Sequence, residues 1–376
     1  MKDQKIIVET AIIGGGFSGL FLADSFIKSG YDSFVLLERH KNALGGYAVR
    51  GGIKIGLLPA GEITKKILNI KSYELYENQF VKAYDKYLIK PKTMALGISL
   101  ERTPLINKYY YSYILQKVNA KNLIKNLYSR IGRKVLLSSV RYIVKNTGNS
   151  YDIHLENKIT ITCKNIIVAT GRNYQAMMML KEIGQIFIDK HDLLIGCRIT
   201  FDSKSAEYLY RYQPDFKIKN KKLCQTYCFN YRGSINSYFY NNHKIYAGSF
   251  NEESKTGNCF IGCRKTTTAE SVLKQIEQPF KISYNHLITE KWPKQLKNEC
   301  SKITDFIEYF KVTFNLKIKN LYFPALEQFW SKPKLRKRSL ESASLPNVYF
   351  IGDASGVSFG FLQCYITANL LAEHIR

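Results

Sequence analysis

From residue 6 the chain alternates between short apolar runs and longer amphipathic stretches. Ile6 to Ile13 is almost wholly apolar, the pattern of a strand buried on both faces in a parallel sheet. The next stretch carries Leu20, Leu22, Ala23 and Phe26 at helical spacing and ends at Gly30. Ser33 to Leu37 is apolar again, so residues 6–38 predict one strand–helix–strand unit of about the usual ~30 residues. Residues 62–133 turn helical and basic and predict a helical insert. Three β-rich runs follow, Lys134–Leu137, Val140–Lys145 and Tyr151–Glu156, with the turn residues Asn146 to Asn149 before the third. With Ile159–Cys163 as a fourth edge they predict a β-meander. Asn165 to Ala169 returns to a purely apolar strand, and Asn347 to Ile351 repeats that pattern before a helix from about Phe361 to Ile375. Residues 181–330 mix both kinds of pattern and hold many aromatic residues, among them Tyr208, Tyr210, Tyr212, Tyr227, Tyr231, Tyr238, Phe239 and Tyr240.

Length sharpens this into domains, because 376 residues exceed one ordinary core and suit two. The expectation is an α/β protein: residues 1–180 and 331–376 form a domain of parallel sheet plus β-meander, and an α+β substrate domain is inserted over 181–330. Apolar residues at 45% and charged residues at 23% fit a globular chain. No apolar run approaches the ~18 residues of a membrane span, and Met1 to Lys5 runs straight into the first strand without a signal-peptide pattern, so a cytoplasmic protein with no membrane span is expected. The eight cysteines, at 163, 197, 224, 228, 259, 263, 300 and 364, then read as reduced thiols without structural disulfides. A net charge of +26 suits a nucleic acid, an anionic surface or an acidic ligand as partner. Lys, Ile, Asn, Tyr and Phe are abundant together, which favours compositional drift on a solvated surface instead.

The chemistry concentrates at the strand ends. In Gly14-Gly15-Gly16-Phe17-Ser18-Gly19 the first glycine allows a tight turn, the second lets the backbone approach a pyrophosphate, and the third allows close helix packing. The helix that starts there offers free amides and a positive dipole end to an anion. Glu38 ends the second strand about ~20 residues further on, where a carboxylate accepts both hydroxyls of an adenosine ribose. Strand, turn, helix, strand and acid in this order indicate a Rossmann-type dinucleotide site for NAD or FAD.

Remote motifs separate the two cofactors. Arg39 and Gly45-Gly46 follow Glu38, Ala169-Thr170-Gly171 follows the meander, and Gly352-Asp353 comes late; the set resembles the glutathione-reductase-type flavoproteins. The resemblance implies FAD. It brings Gly45 and Gly46 to the pyrophosphate and ribityl chain, and Asp353 to the ribityl chain or pyrophosphate. A helix opening at Gly360 and Phe361 would aim its positive end at the flavin pyrimidine ring, with Gln363 at the cofactor edge or packed beside it. Ile195 to Ile199, Cys224 to Asn230, and Gly352 to Gly356 with Gly360 and Gln363 narrow the match further. They resemble FAD-dependent dehydrogenases of unassigned substrate, related to BFD-like and geranylgeranyl-reductase-type flavoproteins. Where that group has Arg before its Thr-Phe-Cys element and Cys and Pro after it, this chain has Gln225, Asn230 and Tyr231.

The absence of a second G-x-G-x-x-G argues against a separate nicotinamide domain, and no Cys-x2-Cys redox pair lies near the flavin motifs. Cys224-x3-Cys228 and Cys259-x3-Cys263 lack the spacing of a zinc knuckle; residues four apart on a strand share a face, so packed cysteines and no metal are expected. The reading is an FAD-dependent oxidoreductase moving a hydride between flavin and a small organic substrate. His191, Arg198, Tyr227 and His243 are candidate acids or bases, none of them singled out. A second reading keeps FAD and makes RNA or another polyanion the partner, through Lys217 to Lys222 and Lys332 to Arg338. A third is a non-catalytic FAD-stabilised binding protein.

Overall fold

A computed structural model describes residues 4–46, 51–101, 103–220, 224–276, 278–284 and 292–375. The chain divides into two compact units: residues 1–88, 117–188 and 332–376 form the first, and residues 89–116 and 189–331 the second. Residues 89–116, expected in the helical insert of the nucleotide-binding domain, thus belong to the second unit. The reason lies in Leu105–Asn107, which is a strand paired with Ile218–Asn220 and not a piece of helix.

In the first unit five strands make a parallel sheet: β2 (Thr10–Ile13), β3 (Phe34–Glu38), β4 (Val135–Leu137), β8 (Asn165–Val168) and β9 (Val348–Phe350). Their spatial order is β9-β8-β2-β3-β4. The chain builds outward from β2 to β3 and β4, then returns to the other side of β2 for β8 and β9. Strand order therefore reverses between β2 and β8, the point at which open α/β sheets leave a crevice at their carboxyl ends. The first β-rich run of the expected meander, Lys134–Leu137, is in fact β4 of this sheet. Its apolar character is that of any strand, and sequence alone does not say which sheet receives it.

The remaining runs form a second sheet of order β1-β7-β6-β5, made of β1 (Gln4–Ile7), β5 (Val140–Lys145), β6 (Tyr151–Leu155) and β7 (Ile159–Cys163). The apolar run Ile6–Ile13 is thus two strands, and the chain changes sheets at Val8 and Glu9. The change is made in step with the neighbouring chain, since the Glu9 carbonyl accepts from the amides of Lys164 and Asn165, between β7 and β8. Alternate residues of both sheets, including Ala11, Ile13, Val35, Leu37, Ile153, Ile161 and Val168, meet in one core.

On the other face lie α1 (Phe17–Lys28) and α6 (Phe361–Ile375), joined by edge contacts of Phe17 and Phe21 with Phe361. The insert of this unit supplies α2 (Glu62–Leu68), α3 (Tyr73–Tyr84) and α4 (Lys117–Ile131); α5 (Tyr174–Glu182) follows β8. Arg130 of α4 and Lys28 both pair with the buried Asp24 of α1.

The second unit is built on a seven-stranded antiparallel sheet. Its order is Phe280–Ser283, Ile318–Glu327, His191–Asp202, Thr256–Thr267, Cys224–Asn230, Ile218–Asn220 and Leu105–Asn107. The helix Lys297–Thr313 buries Cys300, Ile303, Phe306, Ile307 and Phe310, and a separate hairpin runs from Gly233–Tyr240 to His243–Phe250. Cys224 and Cys263 are direct partners on adjacent strands and are joined in a disulfide, a correction to the expectation of eight free thiols. Antiparallel register sets their side chains against one another, which a sequence separation of 39 does not reveal. Cys228 does not continue that face as expected, because its backbone is left-handed (φ 47°) at a register shift.

Candidate functional site

Every parallel strand but β4 delivers one of the sequence motifs at its carboxyl end. The glycine turn follows β2, Glu38 closes β3, Ala169-Thr170-Gly171 follows β8, and Gly352-Asp353 follows β9. Backbone hydrogen bonds lock the ends together: the amides of Gly14, Ala169 and Ile351 donate to the carbonyls of Leu37, Ile13 and Val168 at 2.9, 2.9 and 3.1 Å.

The three glycines of the turn differ in what surrounds them. Gly14 has φ 110°, and a Cβ there would lie 2.6 Å from the Ala169 carbonyl oxygen. A Cβ on Gly19 would lie 2.1 Å from the Gly14 carbonyl oxygen, so the first turn of α1 packs directly on the loop. Gly16, the N-cap of α1, is the exception: its φ is −65°, and a Cβ would meet only the Ala169 oxygen, at 3.9 Å. Among the described residues, the space on that side of Gly16 is open. The first-turn amides of α1, on Phe17, Ser18 and Gly19, have no intrahelical acceptors. They offer an anion donors and the positive end of the helix dipole.

Glu38 is buried, and both its oxygens are held from the backbone: Oε2 accepts from the Gly15 amide at 2.8 Å and Oε1 from the Arg39 amide at 2.7 Å. A carboxylate oxygen accepts more than one bond, so both keep capacity for a pair of hydroxyls. The Arg39 side chain is exposed, and its amide is what reaches Glu38. Gly45 and Gly46 both have positive φ (82° and 63°); Gly45 donates to the Gly15 carbonyl at 2.8 Å and bridges Gly16, which brings this loop alongside the glycine turn. Gly171 (φ 63°) faces open space as well.

On the β9 side, Gly352 (φ 62°) sits so close to Ser18 that a Cβ would fall 2.1 Å from its Oγ. Asp353 accepts from Arg172 Nε at 2.9 Å, both partly exposed. Arg172 was not among the expected residues, although it directly follows Gly171. Gly360 (φ 114°) opens α6, and Phe361 is buried against Phe17, ring centroids 4.5 Å apart. Gln363 is buried and donates from Nε2 to the hydroxyl of Tyr73 at 2.9 Å, so its amide nitrogen is committed inside the protein. The Tyr73 hydroxyl in turn fills the space beside Gly61. No local signal marks Tyr73, which reaches Gln363 from 290 residues away. Burial pushes the Cys364 thiol up to about 12, and the Tyr73 phenol further still, so neither exchanges protons near neutrality.

The residues of this site fit the two ends of an adenosine diphosphate group. The open side of Gly16 and the α1 amides suit a pyrophosphate, and the held but unsaturated Glu38 suits a ribose.

The four candidate acids or bases lie in the second unit, none of them in this set. His191 bonds the Gln328 carbonyl at 2.8 Å. Arg198, 2% exposed, pairs with Glu327 at 3.0 Å and donates to the Cys228 carbonyl. Tyr227 lies under Lys217, whose Nζ is 4.0 Å from its ring centroid, and His243 starts the second strand of the hairpin opposite Tyr240. The two basic runs are partly consumed inside the fold. Lys217 pairs with Asp215, Ile218 is fully buried, Lys332 lies over Phe359 and Arg336 pairs with Glu341; Lys221 and Lys222 lie outside the described residues. Among the described residues no helix is long and apolar enough to cross a membrane, and no group of three His, Cys, Asp or Glu could hold a metal ion.

No protein-family model and no curated protein matches the sequence. Among solved structures the chain is similar to a salicylate hydroxylase substrate complex, with 14% identity, 99% of this chain and 80% of that chain covered, and a TM-score of 0.44. It is similar to a geranylgeranyl bacteriochlorophyll reductase-like protein from Thermoplasma acidophilum, with 13% identity, coverage of 98% and 78%, and a TM-score of 0.47. It is similar to a 2-methyl-3-hydroxypyridine-5-carboxylic acid oxygenase, with 14% identity, coverage of 100% and 83%, and a TM-score of 0.44.

Proposed function

We propose that the chain is an FAD-dependent oxidoreductase that exchanges a hydride with a small organic substrate. The observation that carries this reading is the meeting of four motif loops at the carboxyl ends of β2, β3, β8 and β9, around a Gly16 whose open side no described residue fills. In this reading Gly16 and the amides of Phe17, Ser18 and Gly19 hold the pyrophosphate, with Gly45 and Gly46 beside it. Glu38 accepts the adenosine ribose hydroxyls and rejects a 2′-phosphate by charge. Asp353, oriented by Arg172, takes the ribityl hydroxyls. Thr170 and Gly171 line the opposite side of the crevice. The amino end of α6, at Gly360 and Phe361, supports negative charge on the ring system. Bound there, FAD supplies reversible two-electron chemistry. Gln363 acts through Tyr73, as a strut that fixes the start of α6.

Purified full-length protein is expected to be yellow, to show a flavin absorbance and to release FAD on denaturation. Colourless protein that does not take up added FAD overturns the reading. Bleaching of the bound flavin by a hydride donor, with recovery on adding an oxidant, is the expected sign of an enzyme; a flavin that no reductant changes would make it a binding protein.

A further inference from the structure

Strand pairing in the second unit fixes which side chains share a face, because antiparallel partners stand on the same side of their sheet. One row crosses six strands as Ile106, Lys219, Gln225, Gly262, Gly196 and Ala325. Two residues along each strand, the neighbouring row on that face holds Lys217, Tyr227, Phe260 and Arg198. Lys108 joins it at the edge, its amide donating to the Lys217 carbonyl at 2.8 Å. Arg264 stands two residues from Gly262 on the far side of the first row. Arg198 of the neighbouring row is paired with Glu327; the other four cations, Lys108, Lys217, Lys219 and Arg264, flank one neutral amide, that of Gln225.

Two of the four are matched. Lys217 Nζ lies 3.5 Å from Asp215, a carboxylate that also accepts from the Tyr110 hydroxyl. Arg264 Nη1 lies 3.2 Å from Asp192. Lys108 and Lys219, both half-buried, have no carboxylate partner among the described residues. Lys108 Nζ donates to Gln225 Oε1 at 3.0 Å. An ammonium can only donate, so this contact fixes the amide with its oxygen toward Lys108 and its Nε2 turned away as a donor. No described residue accepts from that nitrogen. Burial, then the charges of Lys219, Lys217 and Arg264, hold the Lys108 pKa below the usual lysine value.

We infer that Lys108, Lys219 and the Gln225 amide form a phosphate-binding site. Three neighbouring donors on one face suit the terminal oxygens of a phosphoryl group, and two positive charges without a carboxylate among the described residues suit a dianion better than a singly charged carboxylate. The phosphoryl group is that of a substrate ester or the free ion. The three residues belong to the second unit and the flavin motifs to the first, and the inference does not depend on the flavin reading, because occupancy is measured as binding and not as turnover.

The test is calorimetric titration of the full chain, with one equivalent of FAD present, by inorganic phosphate, phenyl phosphate and benzoate at one ionic strength. Saturable binding of both phosphates is expected. Lys108→Met, Lys219→Met and Gln225→Leu should each weaken it about tenfold or more, while the exposed Lys145→Met leaves it unchanged. Phenyl phosphate binding more tightly than inorganic phosphate identifies an ester as the ligand, and equal affinity identifies the free ion. Absence of saturable binding, binding indifferent to all three substitutions, or benzoate bound as tightly as phosphate overturns the inference. Flavin absorbance and thermal melting of each variant separate loss of the site from loss of the fold.

Discussion

At the scale of single residues, Gly14 and Gly16 carry different burdens although they belong to one motif. Gly14 is required by the fold, since its φ of 110° and its contact with the Ala169 oxygen leave no place for a Cβ. Gly16 is not, for its backbone is ordinary and no described residue fills its free side. Gly16→Ala should therefore melt within a degree or two of the parent while binding FAD at least about tenfold more weakly, because the methyl occupies the approach of the pyrophosphate. Gly14→Ala should lose both, by roughly 1–3 kcal/mol or more in stability. Equal FAD affinity in Gly16→Ala would remove the glycine turn from the site. The motif glycines were legible because their spacing is written in single letters of one short segment. Arg172 and Tyr73 were not, because their partners Asp353 and Gln363 lie 181 and 290 residues away. Arg198 was legible only as an ambiguous candidate, and its burial with Glu327 gives it a structural role. Glu327→Gln should cost about 3–5 kcal/mol in urea unfolding, since it leaves a guanidinium buried without its counter-charge.

At the scale of elements, sequence periodicity identified the strands of the parallel sheet, but it read the strands Leu105–Asn107 and Ser112–Leu115 as part of a helical insert and gave sheet membership poorly. Ile6–Ile13 is continuous in hydropathy but serves two sheets, and β4 reads like the meander strands yet lies beside β3. Both outcomes depend on pairing, a property of two segments that neither contains alone. The link from α3 to α6 is of the same kind. Tyr73 is fully buried, its hydroxyl bonded to Gln363 and lying where a Gly61 side chain would go. Gly61→Ala must therefore displace a ring that has nowhere to move, at a cost of roughly 1–3 kcal/mol from overpacking. Chemical denaturation would measure it, and a change below about 0.5 kcal/mol, the usual range for a surface substitution, would show that the Tyr73 strut yields freely.

At the scale of the whole molecule, the +26 charge invites the expectation that alkali, by discharging lysines, should relieve self-repulsion and stabilise the fold. Linkage decides otherwise. A lysine changes stability with pH only where folding shifts its pKa, and Lys108, held low, gains stability as pH rises toward the ordinary lysine value. The buried tyrosines act in the opposite direction and are more numerous. Burial pushes Tyr151, Tyr208 and Tyr210 up to about 12, and Tyr73, Tyr84 and Tyr110 are raised further. Unfolded tyrosine ionises near ~10, so between there and about 12 the unfolded chain releases protons that the folded chain keeps. Their stabilising contribution is complete below roughly pH 10 and is lost as pH rises through the folded values, at about 1.4 kcal/mol per pH unit for each group. The structural cause is visible in two of them: the hydroxyls of Tyr151 and Tyr208 donate to the carbonyls of Pro346 and Phe314, and a phenolate cannot donate. One belongs to each unit, so both units weaken in the same window. The urea midpoint should fall steeply above roughly pH 10, with the tyrosinate absorbance of these buried rings appearing together with unfolding. Complete tyrosine ionisation with the circular dichroism of the fold intact would show that these hydroxyls are not held as described.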